Sequence, residues 1–83
     1  MARVPLNIKF EKPIIISGKE IPEVTMQVPK GKDMHLVSSI ANPIERDFVL
    51  ISNLCGLNAT VEEFNEVDLK EIIQLQTALK SFL

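Results

Sequence analysis

The fold is decided by residues 6–28, which read LNIKFEKPIIISGKEIPEVTMQV. Apolar and polar residues alternate without exception from Leu6 to Glu11 and again from Val24 to Val28, and this alternation is typical of half-buried strands. The turn-forming residues Ser17-Gly18-Lys19-Glu20 lie between the two runs. The segment therefore predicts a β-hairpin with a decorated or bulged bend, or a small meander.

Beyond Pro29 the apolar residues recur with the period of a helix, and signals for a helix start occur three times. Each signal is a capping residue followed three positions later by a glutamate, as in Asn42-Pro43-Ile44-Glu45, Thr60-Val61-Glu62-Glu63 and Asp68-Leu69-Lys70-Glu71. Gly56 follows Cys55 as a helix stop, where it is expected to take the left-handed conformation. A shorter helix is predicted from about Asp33 to Ile40.

These elements predict the α+β class, with an N-terminal β-hairpin or small meander packed against about three C-terminal helices. A one-turn helix is expected between the last two. A chain of 83 residues fits one hydrophobic core, so we expect residues 1–83 to form a single domain, with a hairpin region at 1–30 and a helical region at 31–83.

The composition argues against several classes of partner. Nine Lys and Arg against eleven Asp and Glu give a net charge of -2, the wrong sign for a protein whose main ligand is a phosphate backbone, so we expect no nucleic acid partner. The longest apolar runs, at 14–16 and 48–51, are too short to span a bilayer, and the start has no signal-peptide core, so we expect no membrane partner. Residues 1–30 carry five basic and three acidic groups and residues 31–83 carry four and eight, which favours head-to-tail or hairpin-to-helix contacts.

Candidate catalytic residues are few. His35 shares a helix face with Ser38 and Ser39, but no acidic residue is placed to orient its imidazole, so a surface histidine is the simpler interpretation. Cys55 is the only cysteine, lies among apolar residues and has no companion base. The carboxylates from Glu62 to Glu71 lack the spacing of a calcium loop. We therefore expect no catalysis, no metal and no cofactor.

The last predicted helix has an unusually wide apolar arc of roughly 180°. One interpretation is that a short chain uses all of these residues in its core. The other is that part of the arc binds an amphipathic partner helix, which would suit the mid-stripe Gln76, since a fully buried unpaired amide is costly. The candidate partner-binding residues are Ile72, Leu75, Gln76, Leu79, Phe82 and Leu83.

Several short strings, in this order and spacing, resemble the small tail assembly chaperones of tailed bacteriophages. The resemblance spans about residues 8 to 83 and is carried by Lys12-Pro13-Ile14, Ser17–Ile21, Val24–Pro29, Gly31–Met34, Leu50–Leu57, Val67–Leu69 and Leu79–Leu83. It implies a non-enzymatic protein of the bacterial host cytoplasm that binds the tape measure protein and keeps it soluble until tail tube subunits polymerise. It also implies the tail tube protein as a second candidate partner.

The alternative function is a small structural or regulatory module that forms homo-oligomers. A marginal core with a free strand edge and an apolar helix face gains stability from a second copy, so we expect self-association under either interpretation.

Overall fold

Two antiparallel strands and four helices make up residues 4–83, which are the part of the chain described by the structure, a computed structural model. The predicted α+β class is confirmed, and the hairpin alternative is the one adopted. The first three residues of the predicted hairpin region lie outside the described residues. The elements are β1 (Leu6–Ile16), β2 (Lys19–Met26), α1 (Gly31–Val37), α2 (Pro43–Cys55), α3 (Val61–Asn65) and α4 (Leu69–Ser81).

The hairpin bend is tighter than its sequence suggested. Ser17 and Gly18 alone connect the strands. Their φ values, 54° and 77°, are both positive, and a two-residue turn with this geometry matches the right-handed twist of the paired strands. The expected bulge exists, but it lies in mid-strand: pairing is interrupted after Lys9, and residues 10–13 of β1 lie opposite residue 22 of β2. Residues 13 and 22 are both prolines, which lack the amide donor that a regular ladder needs.

One face of the hairpin forms the core together with three helices. The strands bury every second residue on that face, as the alternation predicts, and α2, α3 and α4 cover it. The rings of Phe48 and Phe64 stack with centroids 5.1 Å apart, which joins α2 to α3. The core cluster consists of Ile8, Phe10, Ile14, Ile16, Val24, Met26, Phe48, Ile51, Leu54, Phe64, Ile72, Leu75, Ala78 and Leu79.

Polar contacts fix the hairpin on the helices. The Glu63 carboxylate of α3 accepts hydrogen bonds from the backbone amide of Thr60, at 3.1 Å, and from that of Ser17, at 2.5 Å. These two amides hold the pKa of Glu63 below its usual value. The Lys70 ammonium of α4 is hydrogen-bonded to Glu11 of β1, and this bond lowers the pKa of Glu11 and raises that of Lys70. Both contacts join the hairpin to the helical half of the chain.

Most of the predicted helix ends are confirmed. The Asn42 side chain accepts from the amides at positions 44 and 45, at 2.9 and 3.2 Å, and so begins α2. Thr60 and Glu63 form a reciprocal capping box at the start of α3. Gly56 has φ of 65° and ends α2 in the left-handed conformation. These ends form as predicted because each depends on neighbouring residues only.

Two predictions about helix ends are corrected. The Asp68 side chain does not cap α4, because its carboxylate lies 3.5 Å from the Lys12 ammonium of β1. The first helix runs over Gly31–Val37, so it starts two residues before Asp33 and ends three residues before Ile40, the bounds expected from the sequence. Asp33 instead lies in the first turn and accepts from the backbone amide of Lys30, at 2.8 Å. Within residues 4–83, no helix has the length and apolar character needed to cross a membrane.

Candidate functional site

The C-terminal helix α4, in which the sequence placed the partner-binding residues, is largely a core element. Ile72, Leu75 and Leu79 are buried, and Leu75 is 0% exposed. They are buried because the hairpin has an apolar face to cover and α4 lies against β1. These three side chains therefore belong to the core of the chain, and partner binding by them stays a prediction.

The other three candidate residues are more accessible. Gln76 and Phe82 are half-buried, and Phe82 packs against the edge of the core. Leu83 is 83% exposed. Leu69 and Ile73, which belong to the same apolar arc, are exposed as well. Gln76, Phe82 and Leu83 are thus the more accessible of the six candidate residues, and partner binding stays a prediction for all six.

An apolar groove lies between α1, α2 and the end of α4. Its volume is about 540 Å³. Two of the candidate residues line it, since Leu79 forms part of its floor and Leu83 stands at its rim. The remaining apolar walls are Met34 and Val37 of α1, Leu50 of α2, and Pro29, which precedes α1. We call this surface the α1–α2–α4 groove.

Sequence reasoning missed the contribution of α1 to this groove. Met34 is 74% exposed, whereas Val37, one turn later on the same helix, is buried. The signal was present, because residues three apart share a helix face and both of these are apolar. A helix of only seven residues gave too short a pattern for that face to be assigned.

Two polar contacts hold the walls of the groove in place. The buried Asp33 carboxylate accepts from the Asn53 side-chain amide at 2.8 Å, which joins α1 to the last turn of α2. At the other end, the Arg46 guanidinium donates to the backbone carbonyl of Ile40, at 2.8 and 3.1 Å, and fixes the connection between the two helices. These two contacts fix the position of α1 relative to α2, and with it the shape of the groove.

A larger cavity, of about 890 Å³, also borders the segment that connects β2 to α1. Its lining mixes the apolar Val28, Pro29 and Leu54 with the charged Lys30 and Lys32. In the α1–α2–α4 groove, by contrast, most of the lining surface is apolar. The α1–α2–α4 groove is therefore the better candidate for binding a protein partner.

The residues considered for catalysis are not arranged for it. His35 is exposed on α1. The Ser38 hydroxyl donates a hydrogen bond to the backbone carbonyl of His35, at 3.0 Å, and not to its imidazole. Burial raises the pKa of the Cys55 thiol to about 12, which keeps it protonated and poorly nucleophilic near neutral pH. Among residues 4–83, no three His, Cys, Asp or Glu side chains converge as metal ligands would.

Comparison with known protein families gives a match over residues 7–83. That range includes all four described helices, all of β2 and all but the first residue of β1. The family is described as phage tail assembly chaperone proteins, E, or 41 or 14. Comparisons with curated proteins and with solved structures give no match. Because the family match extends from the hairpin to the last helix, the chain belongs to the phage tail assembly chaperone proteins.

Proposed function

We propose that the chain is a non-catalytic chaperone that binds the tape measure protein in the cytoplasm of the bacterial host and keeps it soluble until the tail tube polymerises. The family supports the coarser part of this statement, a role in tail assembly. The observation that supports the finer part is the α1–α2–α4 groove, an apolar surface with exposed rim residues. Such a groove binds an amphipathic helix through its apolar face.

The groove has the size and composition for this kind of binding. Its volume of about 540 Å³ is large enough for a few apolar side chains of a helix, spaced three or four residues apart. Met34 at the rim is unbranched and flexible, so it can adapt to different partner side chains. This adaptability suits a chaperone that holds successive segments of one long partner. Removal of one such anchor costs about 1 to 3 kcal/mol of binding free energy.

The experiment that tests this function is co-expression with the tape measure protein encoded by the same phage. The soluble fraction of that protein should rise when the chain is present. The test variant is Met34→Ser with Leu83→Ser, because both side chains are exposed and their loss should leave the melting temperature nearly unchanged. We expect this double variant to lose most of the solubilisation.

The matched control is Leu69→Ser, which changes an equally exposed leucine of α4 that does not line the groove. It should solubilise the partner as well as the unmodified chain does. If the double variant folds and still solubilises the tape measure protein, the groove is not the binding surface. If the unmodified chain has no effect on solubility, the proposed function itself is wrong.

A homo-oligomerising module predicts a different outcome. In that case light scattering would show an oligomer that the double variant converts to monomers, while the solubility of the tape measure protein would not change. The tail tube protein, the second proposed partner, is tested by the same co-expression. An increase in its soluble fraction that depends on Met34 and Leu83 would assign the groove to it.

A further inference from the structure

The solvent side of α4 carries a second row of residues, apart from those that face the hairpin. Leu69, Ile73, Gln76 and Lys80 follow one another at intervals of four, three and four residues. At about 100° per residue they fall within an arc of roughly 60°, whose middle lies roughly 130° around the helix from the buried Leu75. We call these four residues the outer stripe.

The outer stripe has the spacing of a helix-to-helix contact. Alternating intervals of four and three residues are those of helices that pack on one another along a narrow seam. The two apolar members are nevertheless uncovered within residues 4–83, since Leu69 is 70% exposed and Ile73 is 52% exposed. Lys80 is exposed as well, and Gln76 is half-buried. The stripe is therefore accessible to a second helix along its whole length.

The two ends of α4 carry opposite charges. Residues 61–68, just before the helix, include four acidic residues and no basic one. The basic residue of the first turn, Lys70, is bonded to Glu11, whereas Lys80 lies in the last turn. Within residues 4–83, neither Lys80 nor the exposed Glu66 belongs to an ion pair. An unpaired cation at one end of α4 thus faces away from an acidic segment at the other end.

This charge distribution makes the outer stripe complementary to itself when two copies lie antiparallel. Lys80 of each copy then reaches the acidic end of the other, and the two helix dipoles oppose each other favourably. A parallel pair would instead place Lys80 beside Lys80 of the other copy, where like charges repel. In the antiparallel pair Ile73 lies opposite Gln76, and the aliphatic stem of Lys80 packs on Leu69.

We propose that a second copy of the chain binds the outer stripe, so that two α4 helices pair antiparallel about a two-fold axis. Such a pair is closed, because both copies use the same residues. The stripe shares no residue with the lining of the α1–α2–α4 groove. Four residues a side make an interface well below the standard size, so we expect a dissociation constant above about 10 μM. In dilute solution the chain is then a monomer in which Leu69 is exposed.

The test is sedimentation equilibrium of the full chain from micromolar to millimolar concentration. We expect a monomer–dimer equilibrium without larger species, and added salt should weaken the dimer because the charges are exposed. Ile73→Ser should raise the dissociation constant at least about tenfold, since each copy loses an apolar anchor. The matched control Met34→Ser changes an apolar residue of the groove that is more exposed than Ile73, and it should leave the dissociation constant unchanged.

A charge swap tests the antiparallel orientation. Lys80→Glu and Glu66→Lys should each weaken their own dimer about threefold or more, because each change brings like charges together at both ends of the pair. An equimolar mixture of the two variants should contain more dimer than either variant alone, because opposite charges meet again at both ends. Both residues are exposed, so the circular dichroism of the two variants should match that of the unmodified chain.

A monomer at every concentration would overturn the proposal. A dimer that Met34→Ser disrupts and Ile73→Ser leaves intact would place the interface in the groove, and it would overturn the proposal as well. A mixture of the charge variants that pairs no better than each variant alone would exclude the antiparallel pair. Because the chain is measured without any partner, these outcomes are independent of whether it solubilises the tape measure protein.

Discussion

Replacing Leu75 with alanine should destabilise the protein strongly, whereas the same replacement at Leu69 should not. Both residues are leucines of α4, but Leu75 is 0% exposed and Leu69 is 70% exposed. At a fully buried site, a leucine-to-alanine change removes the transfer free energy of the side chain and leaves a cavity, which together cost about 3 to 5 kcal/mol. At an exposed site the change is within about 0.5 kcal/mol.

The size of the protein makes this loss easy to detect. At roughly 0.05 to 0.15 kcal/mol per residue, a chain of 83 residues has a free energy of unfolding of about 4 to 12 kcal/mol. The Leu75→Ala variant should therefore lose a quarter or more of its stability. Because each kcal/mol lowers the melting temperature of a domain this size by about 4 to 8 °C, we expect a drop of at least about 12 °C.

The assay is urea unfolding followed by circular dichroism, with thermal melts of Leu75→Ala, Leu69→Ala and the unmodified chain. The midpoint should shift while the slope stays the same, since the change affects stability and not the surface exposed on unfolding. A loss below about 1 kcal/mol for Leu75→Ala would refute the reasoning. It would mean that α4 does not lie on the hairpin and that the apolar arc is an open surface.

Four further predictions concern polar and backbone features. The amides of Thr60 and Ser17 hold the pKa of Glu63 below 4.5, so the ionised carboxylate stabilises the fold above pH 4.5. The melting temperature should therefore fall as the pH drops through the lowered pKa. In the Glu63→Gln variant this fall should be less steep. Gly56→Ala should cost roughly 1 to 2 kcal/mol in urea unfolding, through backbone strain alone, because φ is 65° and an added Cβ meets nothing within 4 Å. With its pKa at about 12, the Cys55 thiol should react with iodoacetamide at pH 8 at least about tenfold more slowly in the folded chain than in urea. Asn53→Ala leaves the buried Asp33 with one fewer donor, so amide hydrogen exchange in α1 should accelerate, and unchanged exchange there would contradict the anchoring role.

The sequence allowed the elements with purely local causes to be predicted. The alternation from Leu6 to Glu11 identifies a strand, Asn42 and Thr60 identify helix starts, and Gly56 identifies a helix stop. Each of these signals depends on residues within one turn or one strand. The strand and the helix ends that they predict therefore form independently of contacts with distant residues.

The features that could not be predicted depend on contacts between distant residues. Asp68 was expected to cap α4, but Lys12 lies 56 positions earlier and draws its carboxylate away. The arc of α4 was visible in the sequence, but its division into buried Leu75 and exposed Leu83 depends on where β1 crosses the helix. The groove was missed for the same reason, since three separate helices contribute its walls.

The division of apolar residues between core and groove explains how so small a fold keeps an apolar surface outside its core. The core cluster contains side chains from both strands and from α2, α3 and α4, but none from α1. Although Val37 is buried, it lies outside that cluster, and α1 packs chiefly on α2. Helix α1, which carries Met34 on the wall of the groove, therefore packs on α2 but contributes no side chain to the core cluster. Because such peripheral elements open at a lower free energy than the core does, α1 should be able to move relative to α2 while the hairpin and α4 stay folded, as binding of the proposed partner helix requires.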